Sequence, residues 1–236
     1  LGAGGNARIN IPPCADMIEL KARTQSEPRT VNMPLPPIMH GTGLLSAIGA
    51  MASGGTCVTL PSRSFDADLA LTEIDKHRVT TVSIVGDAFA RPIVEALDAS
   101  PGKYDFSSVS LISSSGVMWT REVKAGLLRH NENLLLSDGF SSSEAIGLGA
   151  SLMTKDEEIE VASFTLGPNC KVFTEDLREV KPGSEETGMV AVSGNLPVGY
   201  YNDQEKTNQT FKVINGVRYS IPGDWVRVAE DGSLIL

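Results

Sequence analysis

Between Thr56 and Ile146 the apolar positions switch repeatedly between a period of two and a period near 3.6. TCVTL (56–60) is a short strand candidate. DADLALTEIDKH (66–77) then places Leu69, Ile74 and His77 at helical spacing behind an Asp66 cap. VTTVSIV (79–85) predicts a β-branched strand, and DAFARPIVEALDA (87–99) a helix interrupted near Pro92. VSLIS (109–113) predicts a strand, TREVKAGLLRH (120–130) a helix capped by Thr120, and ENLLLS (132–137) another strand. Strands alternating with helices predict an α/β part, a mainly parallel sheet with flanking helices. In such sheets ligands lie beyond the carboxyl ends of the strands. Two of those ends carry the unusual loops SSSG (113–116) and DGFSSSE (138–144).

After about Lys155 the texture changes to short alternating runs: IEVASFTL, CKVFTE, MVAVSG, TFKVI, VRYSI and WVRVAE. Gly167-Pro168, Pro182-Gly183, Asn215-Gly216 and Asp231-Gly232 punctuate them, the last two as hairpin signals. The expectation is two parts: an α/β subdomain over 1–155, and a smaller antiparallel β subdomain, a small distorted barrel, over 156–236.

Between Thr30 and Ser62 there is no Asp, Glu, Lys or Arg. Prolines 34, 36, 37 and 61 and glycines 41, 43, 49, 54 and 55 break up this stretch. It therefore predicts a small-residue core helix around Leu44 to Ala52 and no transmembrane segment.

The formal charge of -9 and the absence of any Lys/Arg cluster exclude a phosphate-backbone footprint, so nucleic acid is not an expected partner. Cys14, Cys57 and Cys170 are odd in number and far apart, which suggests neither a disulfide framework nor a zinc site and fits a reducing cytoplasm. LGAGGNARIN has neither an initiator Met nor an apolar signal core, and the closing GSLIL reads as a strand. An excised piece of a longer protein is the expectation.

Gly2, Gly4 and Ala7 have the spacing of a dinucleotide fingerprint, but no strand precedes them. His40-Gly-Thr-Gly43 imitates an esterase oxyanion loop, with a nucleophile among Ser141, Ser142 and Ser143. All three histidines precede those serines, however, so an α/β-hydrolase triad does not close in that order. His77 falls on the apolar or boundary face of its helix and His130 at a helix C-terminus, where a cation suits the dipole. Ser141 with Glu144 reads as a capping box. Glu144 at a helix start, behind hydroxyls and backbone N–H groups, reads equally well as a single Mg²⁺ ligand beside a phosphate site.

PLPPIMHGTG (34–43), SSSGVMW (113–119), DGFSSSE (138–144), GMVAVSGNLPVGYYNDQEKT (188–207) and PGDWVRVAEDG (222–232) follow one another in an order that resembles the core motifs of the adenylate-forming family. That family holds acyl-CoA synthetases, luciferases and peptide-synthetase adenylation domains. IVGDAFARPIVEAL and SSSGVMW are most similar to its bacterial fatty-acyl-CoA synthetase branch. The resemblance implies a two-step ligase: a carboxylic acid and ATP form acyl-AMP and pyrophosphate, and the CoA thiol then displaces AMP. It implies ATP/AMP, Mg²⁺ and CoA, and a fatty or other hydrophobic acid. The alternatives are a non-catalytic nucleotide or acyl-binding module, or adenylation of an amino or aromatic acid.

By the same resemblance Phe140 takes the place of the aromatic that stacks on adenine, beside Asp138 and Gly139. Ser143 replaces the usual Thr at the α-phosphate, and Glu144 is the metal ligand. Asp224 accepts the ribose hydroxyls. Ser115, Gly116 and Val117 run along the adenine and the acyl pocket, and His40 stands at the mouth of the carboxylate pocket. The usual Tyr-Gly-x-Thr-Glu is Phe140-Ser-Ser-Ser-Glu144 here, and Pro222 stands where Thr often precedes Gly-Asp. The resemblance also implies a phosphate loop ending in Lys-Gly upstream of Leu1. Beyond Leu236 it implies a hinge, a ribose-binding Arg and a carboxy-terminal domain with a catalytic Lys. This polypeptide alone is therefore expected not to turn over.

Overall fold

A computed structural model describes residues 16–26, 29–155 and 163–236. Among them the chain forms two compact units, one of residues 16–138 with 152–155 and one of residues 139–151 with 163–236. The Gly-rich LGAGGNA and Cys14 lie outside the described residues.

In the first unit α1 (Met17–Ser26) starts on Asp16, whose Oδ1 accepts the N–H groups of Ile18 and Glu19. The strands β1 (Val31–Pro34), β2 (Thr56–Cys57), β3 (Thr81–Ile84) and β4 (Leu111–Ser115) follow, and β1 is paired in parallel with both β2 and β3, as β3 is with β4. β5 (Leu135–Phe140) lies beside β4, giving the order β5-β4-β3-β1-β2. All four β3 residues are buried, as expected of a strand covered on both faces. The covering helices are α2 (Gly41–Ala52), α3 (Ala67–His77), α4 (Asp87–Ala99) and α5 (Arg121–His130). Met33, Leu71, Ile74, Ile84, Ile93, Ile112, Leu127, Leu134 and Leu136 fill the core between sheet and helices.

Four local expectations are corrected. α4 runs unbroken through Pro92. The lost hydrogen bond and ring clash cost about 3 kcal/mol, and burial of Ala90, Ile93 and Leu97 on the same helix offsets that. α2 is not a core helix: only Gly43, Ala47 and Ala50 are buried, while Leu44, Leu45, Ile48 and Met51 are exposed. Its small residues face inward because the backbone there approaches closely, a Cβ on Gly43 lying 2.5 Å from the Pro36 carbonyl oxygen. Thr120 is the N-cap of α5, but its hydroxyl bonds Asp87 Oδ2 at 2.9 Å instead of the helix end. His77 is exposed and pairs with Glu73 at 3.0 Å, the apolar face of α3 being Ala70, Leu71 and Ile74. The Asp66 cap stands as expected, Oδ1 accepting the Leu69 N–H at 3.0 Å.

The second unit is antiparallel throughout. Its strands are β6 (Gly149–Met153), β7 (Ser163–Leu166), β8 (Cys170–Phe173), β9 (Thr187–Ser193), β10 (Phe211–Ile214), β11 (Val217–Ser220), β12 (Trp225–Val228) and β13 (Leu234–Ile235). They follow the order β10-β11-β9-β12-β13-β7-β6, and β8 pairs the other edge of β9. The Asn215-Gly216 hairpin joins β10 to β11 with both residues at positive φ (49° and 80°), the primed-turn geometry that Asn-Gly favours. Asp231-Gly232 turns β12 into β13. Two described helices had no forecast, α1 and α6 (Gln204–Thr210), the latter capped by Asp203, whose side chain accepts the Lys206 N–H. Among the described residues no helix is long and apolar enough to cross a membrane.

Candidate functional site

Because β1, β3 and β4 run parallel, their carboxyl ends share one edge of the first unit. His40 caps α2 there, its Nδ1 accepting the Thr42 N–H at 3.2 Å. With Nδ1 accepting, the ring proton belongs to Nε2. That nitrogen faces Gly116: a Cβ built on Gly116 would lie 3.6 Å from Nε2 and 3.5 Å from Cε1. Gly116 has φ +98°, a conformation that favours glycine. Two sequence candidates 76 positions apart are thus neighbours. Thr42 Oγ1 reaches the Ser115 carbonyl at 3.4 Å, and the Gly86 N–H donates to Ser114 Oγ at 2.9 Å, fixing the loop from both sides. Ile38, Met39, Val117 and Met118 are exposed on these same two loops.

Asp138 stands on β5, two residues before Phe140. Its carboxylate is buried and accepts a hydrogen bond from the buried Lys124 ammonium, with the Trp119 ring 5.4 Å from that Nζ. Burial is the largest influence on Asp138 and pushes its carboxyl up, and Lys124 opposes that shift. The carboxylate is therefore engaged within the protein. Sequence reasoning missed Lys124, although its position three residues before Leu127 puts a charge on the apolar face of α5.

In the second unit Phe140 closes β5 and packs on Phe164 (centroids 5.7 Å apart) at the border of a core of Leu148, Val172, Val190 and Leu234. The next residues correct the capping-box reading, because no helix begins at Ser141. Ser142 and Ala145 exchange backbone hydrogen bonds at 3.0 and 3.2 Å, and Ser141 Oγ accepts the Gly147 N–H at 3.0 Å. Gly147 at φ +79° then turns the chain into β6. Residues 141–148 are a closed loop between β5 and β6.

The Tyr200 hydroxyl donates to Glu144 Oε1 at 2.5 Å. This bond is the largest influence on the Glu144 carboxyl and holds it below its ordinary range; burial opposes it, and Lys206 adds a smaller push downward. Tyr200 is itself held: its N–H donates to Thr207 Oγ1 at 2.9 Å, and Lys206 Nζ lies 4.2 Å from its ring centroid. Neither Tyr200 nor Lys206 was a sequence candidate, since Tyr200 stands 56 positions from the carboxylate it serves.

Ser143 is exposed with no side-chain partner among the described residues. Ser142 Oγ is buried and lacks a hydrogen-bond partner, though it is near enough to Glu144 to favour the charged form. Asp224, between β11 and β12, is fixed through its backbone, its carbonyl accepting the Val190 N–H at 3.0 Å. Its carboxylate has no hydrogen-bond or ion-pair partner among the described residues.

In the second unit the Ser143 hydroxyl and the Asp224 carboxylate are thus left without partners among the described residues, and the Glu144 carboxyl is held below its ordinary range. The sequence matches the family described as AMP-binding enzyme over residues 13–201, and the chain belongs to that family. The chain is similar to a medium/long-chain-fatty-acid and 3-oxocholest-4-en-26-oate CoA ligase of Mycobacterium tuberculosis, 37% identical over 94% of this chain and 40% of the relative. It is similar also to the medium-chain acyl-CoA ligase Mig of Mycobacterium avium, 36% identical over 99% of this chain and 42% of the relative. The chain thus spans about two fifths of the length of these relatives. Solved structures give the same fold. The N-terminal subdomain of NpsA from Klebsiella oxytoca, in complex with 3-hydroxybenzoyl-AMSN, superposes with a TM-score of 0.73 at 18% identity, over 98% of this chain and 58% of that one. A nonribosomal peptide synthetase superposes at 0.76 and 21% identity, over 92% of this chain and 24% of that one.

Proposed function

We propose that this chain is the nucleotide-binding and acid-facing part of a cytoplasmic, AMP-forming acid–CoA ligase that takes a fatty or other hydrophobic acid. The observation that carries the reading is the Glu144 loop: a carboxyl that the Tyr200 hydroxyl holds below its ordinary range, next in sequence to the Ser142 and Ser143 hydroxyls, in a chain similar to CoA ligases over nearly its whole length. Phe140 offers its ring to the adenine, and Asp224 accepts the two ribose hydroxyls, a bidentate task suited to a carboxylate. Ser143 donates to the α-phosphate. His40, with its Nε2 proton directed at the Gly116 loop, donates to the acid's carboxylate, and Ser115 to Val117 form the wall beside it.

The donor set suits Mg²⁺. Among the described residues no group of three His, Cys, Asp or Glu side chains forms a metal cage. Mg²⁺ prefers one or two carboxylates completed by phosphate oxygens and water, and Glu144 with the partnerless Ser142 Oγ offers such a partial shell. Bound there, the ion would offset negative charge on the phosphates. The reaction itself balances simply. A carboxylate oxygen bonds the α-phosphorus as the bond to pyrophosphate breaks. The CoA sulfur then bonds the acyl carbon, AMP leaves and the thiol gives up its proton.

The exposed Ile38, Met39, Val117 and Met118 favour an apolar acid over an amino acid. The test is acid-dependent pyrophosphate release by the gene product carrying this chain, with ATP, Mg²⁺, CoA and a panel of fatty, aromatic and amino acids. Release with fatty acids and formation of their CoA thioesters is the expected result. Release only with amino acids, or nucleotide binding without release, would overturn it.

A further inference from the structure

The most unusual feature outside the groups already given roles is the buried ion pair between Lys124 and Asp138. Lys124 is 6% exposed and Asp138 9%. A buried salt bridge adds little net stability, because desolvation of both charges cancels most of their attraction, and an apolar pair of similar volume serves stability as well or better. What an ion pair supplies and an apolar contact does not is direction.

The direction falls in a telling place. Asp138 precedes Gly139 and Phe140 on the same strand, β5. Trp119 and Thr120 follow shortly after the Ser115 to Val117 loop. Trp119 puts its ring over the ammonium, and Thr120 is clamped by its N–H and hydroxyl to Asp87 at 2.8 and 2.9 Å. Trp119 Nε1 is buried without a hydrogen-bond partner, yet close enough to Asp138 to favour its charged form. One pair therefore ties the segment leaving the β4 loop to the residue entering the Gly139-Phe140 platform.

We propose that Lys124 and Asp138 are positioning residues for nucleotide binding: their hydrogen bond sets where the end of β5 presents Phe140, without either side chain touching the ligand. This inference rests on the nucleotide role of Phe140 proposed above.

The experiment uses the gene product carrying this chain and two readouts, melting temperature and the Kd for AMP by titration calorimetry. Lys124→Met alone leaves a buried carboxylate unpaired and is expected to lower Tm by about 10 °C. The double variant Lys124→Met with Asp138→Leu restores Tm to within about 3 °C of the parent, since the charge penalty disappears. It is expected to bind AMP at least tenfold more weakly and to raise KM for ATP with KM for the acid unchanged. Parent-like AMP affinity in a stable double variant overturns the proposal while leaving the nucleotide site intact. Failure of the parent protein to bind AMP removes the nucleotide reading itself and the proposal with it. Should the double variant not fold, Lys124→Arg keeps the charge and displaces the contact. A weakening of AMP binding by about fivefold or more with little change in Tm supports the proposal, and unchanged binding overturns it.

Discussion

Replacing Tyr200 by Phe isolates a single atom. The phenol oxygen donates to Glu144 at 2.5 Å, while the ring keeps its packing near Phe211 (centroids 6.2 Å apart) and its contact with Lys206. A hydrogen bond to a charged group contributes roughly 1.5 to 3 kcal/mol when well shielded. Glu144 is only partly buried, so solvent screening reduces that to about 1 kcal/mol. The sign with pH follows from the carboxyl being held below its ordinary value of 4.5, with the Tyr200 hydroxyl the largest cause. Stability from a depressed carboxylate is fully present above 4.5 and is lost as pH falls through the folded value. Urea unfolding of the parent and Tyr200→Phe proteins at pH 7, 5 and 3 is the assay. The difference between them is expected to be about 1 kcal/mol at pH 7, unchanged at pH 5 and clearly smaller at pH 3. A difference that stays constant across that range, or that is absent at pH 7, would refute the Tyr200–Glu144 account.

Asp224→Ala removes a carboxylate that has no partner among the described residues, so stability should change by less than about 0.5 kcal/mol, while AMP affinity falls at least tenfold in calorimetry. Burial pushes the Cys170 thiol up to about 11, so mass spectrometry after maleimide treatment at pH 8 should find Cys57 modified well before Cys170; equal rates would contradict the packing around Gly147 and Gly167. Because this chain spans about two fifths of the relatives it matches, it is expected by itself to show no sustained pyrophosphate release with ATP, Mg²⁺ and fatty acids in a coupled assay; sustained release would contradict that.

The layered α/β unit was legible because its signals are local. Asp66 caps α3 and β-branched residues mark β3; in the antiparallel unit the Asn215-Gly216 primed turn is equally local. The misreadings share one cause, competition from other contacts. Pro92 stays inside α4 because the helix face is buried. Thr120 gives its hydroxyl to Asp87 instead of capping, and Ser141 spends its hydroxyl on the Gly147 N–H, which closes a loop where a capped helix was expected. Of the candidate residues read from the motifs, His40 and Gly116 are brought together as neighbours. The supporting residues were not legible in the sequence. Tyr200 acts across 56 positions, and no spacing rule connects it to Glu144. Lys124 did leave a trace, a lone charge on the apolar stripe of α5 between Val123 and Leu127, which helical periodicity alone could have flagged.

The central claim is that Phe140, Glu144 and Asp224 serve one bound nucleotide. A crystal structure of the gene product with a hydrolysis-resistant acyl-sulfamoyl adenosine tests it most directly. The account predicts the adenine against the Phe140 ring and both ribose hydroxyls on the Asp224 carboxylate, with Glu144 facing the sulfamoyl group. An adenosine bound elsewhere, with Asp224 still free in solvent, would contradict it.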